Sequence, residues 1–271
     1  MEMKPTIYLV DAFTDQPFAG NPAAVCLLPA EGDCQWMLQV AREMNLSETA
    51  FLHPVGGEFQ LRWFAPIIEV DLCGHATLAS AHVLWETGRL PVDSPARFRT
   101  RSGTLTCRRK ESEIEMNFPA KLAEPVARDN RLNQALGVTP RFIGRSTMDY
   151  LIEVDSPETV RSIKPDFARL SELPVRGVIV TSRSDLPGFD FVSRFFAPSS
   201  GVNEDPVTGS AHCTLGPFWQ ARLNRSELVG RQLSSRGGSV KVRMEGDRVF
   251  LSGQAVTITR GELLPLPPGN R

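Results

Sequence analysis

The sequence predicts an α+β protein of two pseudo-symmetric halves, each a curled, mostly antiparallel sheet around one buried helix. Three observations carry this expectation. First, the chain repeats itself. Arg-Trp-Phe-Ala-Pro at 62–66 is answered by Arg-Phe-Phe-Ala-Pro at 194–198, an offset of 132. Gly74-His75-Ala76 is answered by Gly209-Ser210-Ala211, and TRSGTLTCRRKESEIEM (100–116) by SRGGSVKVRMEGDRVFL (235–251), both at 135. Three matches in order make a duplicated half the better explanation than chance. Second, segments such as 59–64, 104–108 and 113–118 alternate apolar and polar residues, as half-buried strands do. Third, HATLASAHVLWETG, opening after Gly74 and closed by Gly88, is small and apolar on nearly every side, which suits a buried helix.

The remaining elements follow in chain order. Residues 35–44, capped by Asp33, place Trp36, Val40 and Met44 on one face of an amphipathic helix. Glu111-Ser112 and 245–247 read as hairpin turns between alternating strands. The second buried helix opens at Ser210 and carries Pro217 in its second turn, so it is expected to be kinked or interrupted there. Residues 121–130, polar and containing Pro125, are the expected joint. The halves are therefore placed at 1–125 and 126–271, with the final strand allowed to cross to the N-terminal half.

Composition narrows the function. The 271 residues are 41% hydrophobic and 23% charged, an ordinary globular range. Thirty basic against 31 acidic side chains leave a net charge of −1, which gives no footprint for nucleic acid. No apolar run approaches the roughly 20 residues of a membrane span, and the opening MEMKPTIYLVDAF reads as a strand rather than a signal peptide. Cys26, Cys34, Cys73, Cys107 and Cys213 are odd in number and scattered, which suits a reducing cytoplasm. Four histidines without a Cys/His cluster predict no metal.

Polar groups crowd the starts of both glycine-led helices: Asp71, Cys73 and His75 at one, Glu204, Asp205, Thr208 and Ser210 at the other. Two readings stay open. The groups cap the helices, or the two N-termini, with their unpaired N–H groups and positive dipole ends, bind an anion. Glu48 stands in Asn45-Leu46-Ser47-Glu48-Thr49-Ala50-Phe51, where a helix hands over to an apolar strand. It is either a solvated surface carboxylate or, beside apolar walls, an acid–base group with a raised pKa. Asp205, Ser210 and His212 supply hydrolase residue types without a GxSxG elbow, and no GxGxxG or GxxxxGK[ST] loop is present.

Four segments together resemble the phenazine-biosynthesis isomerase family, the PhzF-like proteins: DAFTDQPFAGNPAAV (11–25), NLSETAF (45–51), DLCGHATLASAH (71–82) and NEDPVTGSAH (203–212). The resemblance covers essentially the whole chain. It implies the diaminopimelate-epimerase-like fold, two halves each with a barrel-like sheet around a central helix, and an active site between them. It implies a metal-free, cofactor-free proton shift; the founding activity isomerises a cyclic dihydro-hydroxyanthranilate. Carried onto this chain, the family's catalytic glutamate falls on Glu48 and its histidine on His75. Its second-half acid and hydroxyl fall on Asp205 and Ser210. Gly74 and Gly209 would present backbone N–H groups to a carboxylate, with Cys73 and Asn21 as secondary candidates. The partner implied is a small-molecule carboxylate, and the assembly a homodimer. Epimerase relatives use one cysteine from each half; here Cys73 is answered by Thr208, whose hydroxyl is too weak an acid for that role. A cysteine-dependent racemase or epimerase is the alternative, and a non-catalytic binding protein on the same fold is a second.

Overall fold

The computed structural model describes residues 5–127 and 129–264. Two compact units divide them: 5–18, 22–114 and 254–264 form the first, and 19–21 with 115–253 the second. The division falls inside the strand Glu113–Pro119 rather than at 125/126. The expected joint lies within the second unit because its backbone is used there. Glu124–Pro125 pairs with Phe142–Arg145, and Lys121 N–H donates to the Cys213 carbonyl. The last strand, Ala255–Glu262, runs antiparallel to Thr6–Ala12 and belongs to the first unit.

In the first unit, residues 24–27 pair in parallel with the strand Thr49–Val55, which turns back into Glu58–Phe64. That hairpin passes through Gly56 and Gly57, both at positive φ, a region where only glycine is unstrained. Glu58–Phe64 pairs in parallel with Ala96–Thr100, which then turns into Gly103–Lys110. The second unit repeats this order. Asp149–Glu153 pairs in parallel with Gly177–Arg183, which turns back into Phe191–Phe196. Phe191–Phe196 pairs in parallel with Glu227–Gln232, followed by the antiparallel strands Gly238–Glu245 and Arg248–Gly253.

The connections from Glu58–Phe64 to Ala96–Thr100 and from Phe191–Phe196 to Glu227–Gln232 carry the two buried helices that the sequence predicts. Gly74–Glu86 is buried without interruption from His75 to Ala81 and packs on Thr6–Ala12, Thr49–Val55 and Ala255–Glu262. Gly209–Leu223 packs on the strands Glu227–Gln232, Gly238–Glu245 and Arg248–Gly253. This helix is not interrupted at Pro217. A proline removes the N–H that would serve the carbonyl four residues earlier, here Cys213, and costs roughly 3 kcal/mol in an ordinary helix interior. The Lys121 N–H serves that carbonyl at 2.9 Å instead.

The Cys34–Met44 helix is capped by Asp33, whose carboxylate accepts from Trp36 N–H. Its buried stripe is Met37 and Ala41, flanked by Trp36 and Val40, while Met44 is exposed. The face is thus rotated from the expected one, because the helix lies on Cys26, Phe51 and Phe64. Short helices Asn130–Leu136, Pro157–Ser162 and Phe167–Ser171 cover an outer apolar cluster of the second unit built on Ile152, Val180 and Phe196.

Candidate active site

In the first unit, Glu48 sits one residue before the strand Thr49–Val55 and Cys73 is the N-cap of the Gly74–Glu86 helix. The helix carries His75 back over its first turn, so the three side chains meet. His75 Nε2 lies 3.5 Å from Glu48 Oε2, and His75 Nδ1 lies 3.5 Å from Cys73 Sγ. Burial pushes the His75 pKa down to about 3, so the ring is neutral at pH 7 and the Glu48 contact is a polar contact rather than an ion pair. The tautomer with its proton on Nε2 serves both sides: N–H towards the carboxylate, and a lone pair on Nδ1 for the thiol hydrogen. Glu48 keeps about a fifth of its side-chain surface open (21%), whereas His75 keeps 5%. The cluster therefore presents one accessible carboxylate, backed by a fixed dipole.

Glu48, Cys73 and His75 also place one metal-ligand atom each within 4.8 Å of the others. An imidazole gives a metal one nitrogen, and here the thiol and the carboxylate face opposite nitrogens.

The second unit builds its own cluster before the Gly209–Leu223 helix. Asn21 Nδ2 donates to Asp205 Oδ1 at 2.8 Å and to the Val207 carbonyl at 2.9 Å. Thr208, the N-cap, spends its hydroxyl on Asp205 Oδ2 at 2.5 Å rather than on its own helix. Gln232, buried at the end of its strand, donates to the Asp205 carbonyl and accepts from Thr208 N–H. Enclosure raises the Asp205 pKa to about 6, opposed by the hydrogen bonds from Thr208 and Asn21 and by the Arg176 charge. Ser210 Oγ accepts from Arg176 Nη1 at 2.8 Å.

Neither Cys73 nor Thr208 makes a side-chain cap bond, so capping by these residues does not explain the polar crowding. Two of the crowded groups stand apart from the clusters. Asp71 is exposed, and Glu204 is held by Arg194 in a two-bond pair. His212 Nδ1–H donates to the Thr208 carbonyl, not to Ser210, which removes the hydrolase arrangement. Burial pushes the Cys213 thiol up to about 12, consistent with a packing role.

Sequence reasoning missed Gln232, Arg176 and Asp149. A signal existed for Gln232: its strand buries every second residue, Leu228 and Gly230 among them, so parity turns this amide inwards. A buried amide requires partners. Arg176 precedes its strand and gives no such signal.

The family model described as phenazine biosynthesis-like protein matches residues 10–261. An uncharacterized isomerase of Halalkalibacterium halodurans is 53% identical over 97% of this chain and 99% of its own length. The crystal structure of a PhzF-family protein from Enterococcus faecalis is 40% identical, superposes with a TM-score of 0.93, and matches over 97% of this chain and 100% of its own. A hydroxyproline epimerase from Agrobacterium vitis, 10% identical, shares the fold at a TM-score of 0.62 over 96% of this chain and 94% of its own. The chain is therefore an isomerase belonging to the phenazine biosynthesis-like, PhzF family.

Proposed function

We propose that the protein catalyses a cofactor-free proton shift on a small carboxylate-bearing molecule, with Glu48 as the proton carrier. The observation that supports this most is the pairing of a partly open carboxylate with a neutral, buried histidine. The Glu48 carboxylate takes a proton from an activated ring carbon or α-carbon, leaving the electron pair delocalised into the adjoining unsaturated system. The resulting carboxylic acid returns the proton to another carbon on the same face, so no redox partner is consumed. His75 and Asp205 hold polar substituents. Ser210 and the N–H groups following Gly74 and Gly209 hold the carboxylate.

The two-thiol racemase is the weaker reading, because Thr208 stands where the second thiol would be and its hydroxyl is engaged by Asp205. Five free cysteines are compatible with a cytoplasmic location, and among the described residues no helix is long and apolar enough to cross a membrane. A homodimer is the proposed assembly. Incubation of dihydro-hydroxyanthranilate and a panel of small cyclic carboxylates in heavy water tests the reading. Carbon-bound deuterium is expected in at least one, and none in any of them would favour a binding protein.

A further inference from the structure

We infer that Arg176 is a positioning residue that turns the Ser210 hydroxyl into an anion-directed donor, with Asp149 as its anchor. Arg176 uses two of its nitrogens on one carboxylate: Nε donates to Asp149 Oδ1 at 2.9 Å and Nη2 to Oδ2 at 2.5 Å. Asp149 is fully buried, and the guanidinium lies 5.1 Å over the Phe195 ring, so the fork has a fixed plane. Nη1, the remaining nitrogen, donates to Ser210 Oγ. A hydroxyl oxygen that accepts from a cation has one lone pair occupied and its own O–H polarised. That hydrogen has no acceptor among the described residues. Ser210 is half-buried and is the second residue of its helix, where the dipole also favours negative charge.

The class of ligand follows from the charge. A hydroxyl donor beside a guanidinium and a helix start selects an acceptor carrying negative charge, and disfavours an amine or ammonium. This rests on the proposed role of Ser210 in holding the substrate carboxylate and adds a second requirement: that carboxylate stays ionised on binding. Arg176 itself acts through Ser210. Lysine would not replace it, since an ammonium is a point charge without the fork that serves two partners at once.

A thiol placed at residue 210 reports this link without any substrate. In a Cys34→Ser background, which removes the exposed thiol, Ser210→Cys is titrated by thiolate absorbance against its parent. A free cysteine titrates near 8.5, and helix starts and neighbouring arginines lower it. The thiol should titrate at least about one pH unit below that value, and Arg176→Lys should raise it by about a unit, a tenfold loss of thiolate at neutral pH. Asp149→Asn with Arg176→Gln, which leaves no buried carboxylate unpaired, should raise it likewise. An unmoved titration in both forms overturns the inference. The parent reading is tested separately with 3-hydroxyanthranilate as the binding probe. If Ser210→Ala binds it as tightly as the wild type does, the role of Ser210 in holding a carboxylate falls, and with it the class of ligand assigned here. Weaker binding by Ser210→Ala together with a moved thiol supports both.

Discussion

Lowering the pH from 7 to 5 should cost the folded protein about 2 kcal/mol through His212 alone. The imidazole is buried, and burial lowers its pKa from 6.5 to about 4. Its Nδ1 meets the Thr208 carbonyl at 2.8 Å, while Nε2 has no partner among the described residues. The sign follows from proton counting. Between 6.5 and about 4 the unfolded chain holds a proton on this ring that the native state does not. Stability is therefore full above 6.5 and falls as the pH drops towards 4. At pH 5 the unfolded ring is about 97% protonated, which gives the figure of about 2 kcal/mol. His212→Asn keeps a side-chain N–H for the Thr208 carbonyl and removes the titration. It also loses the ring that packs against Phe191 at 5.8 Å, so absolute stability falls at every pH. The informative quantity is the change between the two pH values, read from urea unfolding monitored by tryptophan fluorescence. The variant should lose about 2 kcal/mol less than the wild type over that interval. Equal losses would refute the reasoning and imply that the ring is hydrated or charged in the native protein.

Asp205 should act in the opposite direction. Its raised pKa of about 6 means that ionisation destabilises the native state, so Asp205→Asn should remove a gain of about 1 kcal/mol that the wild type makes between pH 7 and 5. Gln232→Leu should cost about 2–4 kcal/mol, since it strands the Thr208 N–H and the Asp205 carbonyl in a buried place, and thermal unfolding would show it. Gly216→Ala should cost about 1–3 kcal/mol by overpacking, because the new methyl would stand 2.8 Å from Val242 Cγ1 and 3.0 Å from Met244 Sδ. An unchanged melting temperature would contradict the packing of this helix against its strands.

Much of the fold was legible because local chemistry and burial agree. The helix at Gly74 is small and apolar on nearly every side and is buried along most of its length. Alternation in the hairpin ending near Gly253 matches inward and outward residues in turn. The sequence was less informative where one segment's chemistry is completed by a distant one. Pro217 reads as a break until the Lys121 N–H, far away in the chain, is seen to serve the Cys213 carbonyl. The candidate residues divide in the same way. Glu48, His75, Asp205 and Ser210 stand in recognisable motifs, whereas Asp149 and Arg176 become relevant only when parallel pairing brings Asp149 beside Gly177. An ion pair of this kind, between a buried carboxylate and a half-buried guanidinium, leaves no pattern in either local segment.

The central claim is that Glu48, and not Cys73, carries the proton. Its most direct test is turnover and solvent-deuterium incorporation, measured by mass spectrometry on one confirmed carboxylate substrate, for Glu48→Gln and Cys73→Ser side by side. Glu48→Gln keeps the side-chain shape but cannot accept and return a proton, and should lose roughly 10²–10⁴-fold in rate with little change in substrate affinity. Cys73→Ser should exchange and turn over at close to the wild-type rate, since the thiol's contact in this structure is with the neutral ring of His75. Near-wild-type exchange by Glu48→Gln, or abolished exchange in Cys73→Ser, would contradict the account and move the proton to the thiol.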